Sequence, residues 1–285
     1  MKVNASDQIV RISESSNPKV SVVLPTYNQA NYLSRALDSF LDQDFQDFEL
    51  IVVNDGSTDE TSTILAKYQQ RFNFICINQD NLGLPAALNN GFSRTRGEYL
   101  TWTSSDNIML PLMLHDLSAE LDANPEIGVV YSDWYVIDDE DTILSRAESI
   151  EYDPYILYLA NYINASFLYR RKCREQIGDY DVNMTFNEDW DYWLRISQYY
   201  SMKRLPTPLY LYRTHSESLT LKNPSEERYL AFIKIWKKRT PFRWWYGKIK
   251  WNFLKRRYGR FPTVQYIPMD GNNESGSGRM WKNWK

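Results

Sequence analysis

Val20-Ser21-Val22-Val23-Leu24-Pro25-Thr26-Tyr27-Asn28 and, after one intervening helix pattern, Glu49-Leu50-Ile51-Val52-Val53-Asn54-Asp55-Gly56-Ser57-Thr58-Asp59 decide how this 285-residue chain folds. Each stretch is an apolar, largely β-branched run that stops abruptly at polar residues, the pattern of a parallel strand buried on both faces and followed by a loop. Between them Leu33, Ala36, Leu37, Phe40 and Leu41 recur at helical spacing and define one apolar face. Ser57-x-x-Glu60 has the spacing of a capping box and predicts a second helix start. The cycle continues with strands over 74–77, 99–103 and 128–136 and helices from about Pro85 and Pro111. Farther on, 152–161 reads as a helix, 165–170 as a strand, 188–199 as a helix carrying Trp190, Trp193 and Leu194, and 210–213 as a last short strand. Strand, loop and helix in alternation make an α/β nucleotide-binding architecture, with ligands expected beyond the carboxyl ends of the strands.

Bulk composition narrows the setting. The chain has two cysteines, Cys76 lying inside an apolar run, which gives neither a disulfide framework nor C-x-x-C metal spacing. The N-terminal stretch 1–17 is polar and no run of roughly 18 apolar residues occurs, so the expectation is a soluble or membrane-peripheral protein of the cytoplasm. Net charge is −3, yet residues 1–233 hold 19 Lys/Arg against 34 Asp/Glu, while 234–260 hold 11 basic residues and no acidic one. Trp236, Phe242, Trp244, Trp245, Tyr246, Trp251, Phe253 and Tyr258 interleave with those cations. Such a basic aromatic segment suits an anionic membrane surface, where rings lie at headgroup depth and Lys and Arg meet phosphates. Packing on the acidic body of the same chain, and nucleic-acid binding, are the other readings the composition allows. The 269–285 tail, like 1–17, is expected to be flexible.

Certain residues at the strand ends carry chemistry. Tyr27 offers a ring face and Asp55 a carboxylate, which together would hold a pyrimidine by stacking and by accepting its imide N–H. Turn chemistry alone also accounts for Asn-Asp-Gly-Ser. Asp106, at the end of Gly97-Glu98-Tyr99-Leu100-Thr101-Trp102-Thr103-Ser104-Ser105-Asp106-Asn107, is a strand-end carboxylate of the kind that can hold Mg²⁺ or Mn²⁺, although Ser-Ser-Asp-Asn also reads as a polar turn. Glu188-Asp189 supplies paired carboxylates at a helix start, suited to general-base work as well as to the helix dipole.

Taken together and in order, these segments resemble the family 2 glycosyltransferases across about 200 residues, from about Val20 to Leu219. Asn81-Leu82-Gly83-Leu84-Pro85-Ala86-Ala87-Leu88-Asn89-Asn90-Gly91 is similar to the family's N-x-G-x-x-x-A-x-N-x-G segment, with Leu88 where many members have Arg; Arg94 or Arg96 could take over that contact. Ser104-Ser105-Asp106 stands at the Asp-x-Asp signature, its first acid replaced. Gly178-Asp179-Tyr180-Asp181 and Asn187-Glu188-Asp189, with Arg195, match the approach to the base helix, and Tyr212-Arg213-Thr214-His215 matches the segment that closes family domains.

The resemblance implies a GT-A fold: a Rossmann-like, mostly parallel sheet flanked by helices, in a domain over 18–222. Its nucleotide-binding half would be 18–107 and its acceptor half 108–222, with a basic aromatic helical appendage over 223–268. It implies an inverting transfer from a nucleotide-diphospho-sugar, UDP-linked by preference, to a hydroxyl of a glycan or lipid-linked acceptor. Asp189 would be the base and Glu188 its partner on the donor sugar or acceptor. Pro25, Thr26, Tyr27, Asn28, Asp55, Asn81, Gly83, Asn89, Ser104, Ser105 and Asp106 would line the nucleotide, Asp106 and His215 would hold the divalent metal, and Arg213 and His215 would face the diphosphate. The alternative is a sugar-nucleotide-binding module without transferase activity. Partners are then the sugar nucleotide, the acceptor and an anionic membrane surface through 234–260, on its cytoplasmic face, with no nucleic acid.

Overall fold

A computed structural model describes residues 17–184, 186–216, 218, 233–235, 238–239 and 264–269. In chain order its elements are β1 (Val20–Thr26), α1 (Ala30–Leu41), β2 (Phe48–Asp55), α2 (Thr61–Tyr68), β3 (Ile75–Gln79), α3 (Leu84–Phe92), β4 (Tyr99–Trp102), β5 (Ile108–Met109), α4 (Met113–Ala123), β6 (Ile127–Ile137), β7 (Ile143–Glu148), α5 (Pro154–Leu157), β8 (Phe167–Arg170), α6 (Arg171–Ile177), α7 (Glu188–Ile196), β9 (Ser201–Arg213) and β10 (Gln265–Pro268). The strands form one sheet in the order β10-β7-β6-β8-β4-β1-β2-β3, with β9 beside β6 and β5 beside β9.

β1 and β2 are buried along their whole length, as continuous apolar runs in the middle of a parallel sheet must be. Alternate residues of these strands feed two cores. Val23, Ile51 and Val53 pack under Ala87, Leu88 and Phe92 of α3 and continue to Trp193 and Leu194 of α7. Val22, Leu24, Leu50 and Val52 face Leu33, Leu37 and Phe40 of α1 and Leu114 and Leu117 of α4. Helices therefore cover both faces, and the sheet's carboxyl edge is left for ligands.

Pairing along β1 shapes that edge. β4 runs beside β1 from Tyr99↔Val20 to Trp102↔Val23 and then departs, its last link being Thr103 N–H to the Val23 carbonyl at 3.0 Å. Pro25 lies beyond this point, on the side that no longer needs a donor, so its missing N–H costs nothing. The strand order reverses between β1 and β4, the switch point at which open α/β sheets place their ligand crevice.

The parallel character expected for the sheet holds for its first half and for β6 beside β9, while the strands between them pair antiparallel. β3, β2, β1 and β4 are parallel, but β8 pairs antiparallel with both β4 and β6, as do β7 with β6 and β10 with β7. Three local expectations also change. The capping box is not made: α2 begins after Glu60 with no side-chain cap from it, while Ser57 Oγ accepts Asn28 N–H and Asp59 receives the N–H groups of Thr61 and Ala30, both at 3.0 Å. The helix read over 152–161 shrinks to the single turn α5, capped by Asp153, because Tyr162 turns back to bond Asp153 and Ser149. Residues 265–268, assigned to a helical appendage, form strand β10 on the sheet edge. The short α6 has no readable period in the sequence, because Cys173 is its one buried residue.

Candidate active site

The loops after β1 and β2 are braced to each other before any ligand is considered. Asn28 sits at φ 51°, accepts Thr58 N–H at 2.8 Å through its side chain and donates its own N–H to Ser57 at 3.0 Å. Pro25 and Thr26 are buried, whereas Tyr27 is 45% exposed. Asp55, at the end of β2, is buried and held by three donors: Gln79 Nε2 at 2.7 Å and Leu82 N–H at 2.9 Å on Oδ1, and Gly83 N–H at 3.0 Å on Oδ2. Gly83 reaches this position at φ 87°, which a side chain would resist.

The remaining residues of the 81–91 segment divide by task. Asn81 is exposed beside this turn. Asn89 clasps the backbone of Tyr180, Nδ2 donating to its carbonyl at 2.8 Å and Oδ1 accepting its N–H at 2.9 Å. It thereby ties α3 to the approach to α7. Gly91 lets α3 lie directly on β1, since a Cβ there would stand 2.4 Å from Val23 Cγ1. Leu88 is fully buried in the core. Neither arginine takes its place at the crevice: Arg94 follows α3 and Arg96 leads into β4, both at the opposite edge of the sheet, where Arg96 pairs with Glu49 at 2.8 Å. Gln79 and Asn90, which no sequence pattern marked, complete a relay, Asn90 Nδ2 donating to Gln79 Oε1 at 2.7 Å.

A two-residue ladder assembles the second station. β5 pairs antiparallel with β9 through Ile108↔Leu211 and Met109↔Tyr210, so the residues before β5 lie opposite those after Leu211. Asp106 and His215 meet in consequence, Oδ2 and Nε2 being 3.0 Å apart. Ser105 is buried and the Ser104 carbonyl accepts Asn107 N–H, so both serve the turn that presents Asp106. Asp106 Oδ1 and His215 Nδ1 are buried with no hydrogen-bond partner. Adjacent ligands of an octahedral Mg²⁺ at about 2.1 Å lie about 3.0 Å apart, so the observed separation matches one edge of such a site. Among the described residues no cluster of three or more His, Cys, Asp or Glu is placed to hold a metal. One carboxylate and one imidazole plus substrate phosphates is nevertheless a sufficient donor set for Mg²⁺ or Mn²⁺.

Arg213 is the sequence candidate whose surroundings differ most from expectation. Its side chain is fully buried, and it donates to the carbonyls of Asp106 at 2.8 Å and Asp138 at 2.6 Å while pairing with Asp141. Its N–H reaches Asn107 Oδ1 at 2.8 Å. Spent in this way, the guanidinium fixes the Asp106 turn to the β6–β7 hairpin and has no free face for a diphosphate. Tyr32 of α1 completes the packing: its ring lies 4.6 Å from that of His215, Arg213 sits over it, and its hydroxyl donates to Asp139 at 2.7 Å. Burial and Asp139 push the Tyr32 phenol up to about 12.

The carboxylates at the start of α7 form the third station. Trp102, last residue of β4, donates to Tyr180 OH at 3.1 Å, and Tyr180 stacks on Tyr192 at 4.0 Å, which carries α7 to the β4 side of the crevice. Glu188 is buried, and burial followed by the charge of Asp189 raises its carboxyl to about 8. Burial also raises Asp189, against hydrogen bonds from Asn161 Nδ2 at 2.8 Å and Trp190 N–H at 2.7 Å. A carboxylate lifted in this way is a stronger base than one in water. Arg195 locks the helix by pairing with the buried Asp191 at 3.0 Å and donating to the carbonyls of Ile177 and Asp179.

Part of the basic segment is visible here. Ile235 is fully buried in the core, Lys234 bonds the Asn183 carbonyl, Lys238 pairs with Asp181, and Arg239 meets Asp191 at 2.7 Å. Those cations are engaged by the domain itself. The remainder of 234–260 lies outside the described residues, as do Glu217 and Leu219 of the closing segment and the terminal residues 1–16 and 270–285.

A mixed α/β sheet that carries Tyr27, Asp55 and the Asp106–His215 pair beyond the carboxyl ends of its strands has the architecture of GT-A nucleotide-sugar transferases. The chain belongs to glycosyl transferase family 2, whose pattern it matches over residues 21–192. It is 30% identical over 196 residues to an uncharacterized glycosyltransferase of Rickettsia typhi, covering 65% of this chain and 61% of that protein. An uncharacterized glycosyltransferase of Methanocaldococcus jannaschii is 28% identical over 233 residues, covering 78% and 77% of the two chains. The match spans 37% of the related Rickettsia felis protein, so the chain corresponds to part of several relatives. Among solved structures it is similar to S. aureus TarS in complex with UDP-GlcNAc, with a TM-score of 0.65 at 21% identity, covering 85% of this chain and 73% of that one. A mannosyltransferase from Pyrobaculum calidifontis in complex with GDP-Man and Mn²⁺ gives 0.56 at 15% identity, covering 86% and 77%. These likenesses establish the fold.

Proposed function

We propose that this chain transfers a sugar from a UDP-sugar to a hydroxyl acceptor with inversion at the anomeric carbon. The observation that carries the reading is the Asp106–His215 pair, a part-buried carboxylate and a buried imidazole 3.0 Å apart, presented on the same sheet edge as Tyr27 and Asp55. The base preference follows from hydrogen-bond arithmetic. A carboxylate has about four acceptor positions, and Asp55 has three filled by Gln79, Leu82 and Gly83. One acceptor remains, which matches the single imide N–H of uracil or thymine; guanine would bring two adjacent donors. Tyr27 supplies the stacking face.

A divalent metal held by Asp106 and His215 would neutralise the diphosphate and stabilise it as it leaves. The protein's own groups do the rest. Asp189 takes the proton of the acceptor hydroxyl as its oxygen bonds to the anomeric carbon, and the bond from that carbon to the diphosphate oxygen breaks. Arg213 acts indirectly, by holding the Asp106 turn. The protonated Glu188 carboxyl is a donor for a sugar hydroxyl. A glycan or lipid-linked hydroxyl is the acceptor class this reading takes, and the basic aromatic composition of 240–260 supports work at an anionic membrane.

The test is a calorimetric and thermal-shift comparison of UDP-, dTDP- and GDP-sugars with Mn²⁺, followed by donor consumption in the wild-type chain and in Asp189→Asn. Expected are stabilisation by the uracil or thymine nucleotides, donor consumption by the wild type, and retained donor binding with loss of most turnover in the variant. Binding without donor consumption across a broad acceptor panel would instead identify a sugar-nucleotide-binding module, and stabilisation by GDP-sugars alone would overturn the base assignment.

A further inference from the structure

We propose that Asn161 is the positioning residue of the general base, its amide N–H fixing the carboxylate of Asp189 in orientation and basicity. The inference rests on the reading of Asp189 as base. Asn161 lies in the irregular stretch between α5 and β8, where the chain is pinned on both sides. Its neighbour Tyr162 is buried, accepts Asp153 N–H at 2.9 Å on its hydroxyl and receives Ser149 Oγ on its carbonyl at 2.7 Å. On the α7 side, Trp190 Nε1 donates to the Leu157 carbonyl at 2.7 Å. Between these two anchors Asn161 Nδ2 reaches Asp189 Oδ2 at 2.8 Å.

The other end of the same amide shows what the residue is for. Asn161 Oδ1 is buried without a partner. A structural asparagine in a core bonds through both ends, as Asn89 does with Tyr180. A bare buried carbonyl is a cost, and a leucine of similar size would avoid it, so packing gives no reason for an amide here. The bond to Asp189 does. With Trp190 N–H on Oδ1 and Asn161 on Oδ2, each carboxylate oxygen has one fixed donor and keeps one lone pair for an incoming hydroxyl. The amide also favours the ionised form of Asp189 against burial, keeping the base available.

The charged and titratable groups about Asp189 are Glu188, its neighbour on α7, and Tyr180, whose phenol is held protonated chiefly by burial. Removing the Asn161 N–H leaves burial unopposed on that side, so the base should protonate at higher pH. The experiment is a carboxyl-carbon NMR titration of the full chain with only its aspartates labelled, the Asp189 signal being identified by its loss in Asp189→Asn. Expected is an upward shift of the Asp189 midpoint in Asn161→Leu and a larger one in the near-isosteric Asn161→Asp, where a carboxyl replaces the donor. An unchanged midpoint in both variants would overturn the proposal. If the leucine variant does not fold, the aspartate variant carries the measurement. Donor turnover retained by Asp189→Asn would overturn the base reading separately, since the titration does not depend on catalysis.

Discussion

Glu188 and Tyr27 show how burial assigns different work to single residues. Glu188 has its carboxyl raised from near 4.5 to about 8 by burial and by Asp189. Between those values the folded chain binds more protons than the unfolded chain, so this group's contribution to stability is full at low pH and is lost as pH rises toward 8. Glu188→Gln should therefore match the wild type near pH 4.5 and exceed it at pH 8, by at least the 2–4 °C in thermal midpoint that about 1 kcal/mol brings in a domain of this size. A midpoint difference that does not grow between those two pH values would contradict it. Tyr27, at 45% exposure, contributes little to the core. Tyr27→Ala should weaken UDP binding by about 1–3 kcal/mol, the usual worth of base stacking on an aromatic ring, while the melting temperature of the free protein stays where it was. Calorimetry and a melt on the same sample separate the two effects.

At the scale of elements, the contact of α3 with β1 and β2 sets how closely the nucleotide loops approach. Gly91 is the point of contact, where a methyl group would stand 2.4 Å from Val23 Cγ1 and 3.1 Å from Val53 Cγ2, both on fully buried strands. Alanine in place of glycine within a helix gains roughly 0.5–1 kcal/mol, whereas overpacking a filled core costs about 1–3 kcal/mol. The second effect is the larger. Gly91→Ala should lower the urea midpoint, and an increase would mean that α3 can lift without loss. The β5–β9 ladder works at the same scale from a much smaller base: two residue pairs decide that Asp106 and His215 meet. The β6–β7 hairpin reinforces it through Arg213, Tyr32 and the 138–141 turn.

Across the whole molecule, the acidic body and the basic C-terminal segment are joined at α7. Asp191, fully buried, pairs with both Arg195 and Arg239, so the helix that carries Glu188 and Asp189 also receives the start of the basic segment. The chain returns at β10, which adds a strand beside β7. If residues 240–260 serve an anionic membrane, the full chain should co-sediment with phosphatidylglycerol vesicles in low salt and release at high salt. Replacing Lys248, Lys250, Lys255, Arg256 and Arg257 by Gln should abolish sedimentation without lowering the melting temperature, and undiminished sedimentation would remove the membrane reading.

By itself the sequence determined the α/β alternation, the order of the three stations and the family, because buried parallel strands and helix faces impose local periods that need no partner to be read. Tyr27, Asp55, Asp106 and the Glu188-Asp189 pair were legible for the same reason: each ends or begins a periodic element. Tertiary structure alone decided what those side chains have left to give. It filled three positions on Asp55, consumed Arg213 in holding a turn, turned Asn89 toward Tyr180, and brought Gln79 and Asn161 to carboxylates far away in the chain. The antiparallel pairings of β8 and β7 and strand β10 likewise follow from pairings between distant segments, which no local period encodes. Hydrogen-bond capacity and burial belong to contacts across the fold, and those are set only when the chain has closed on itself.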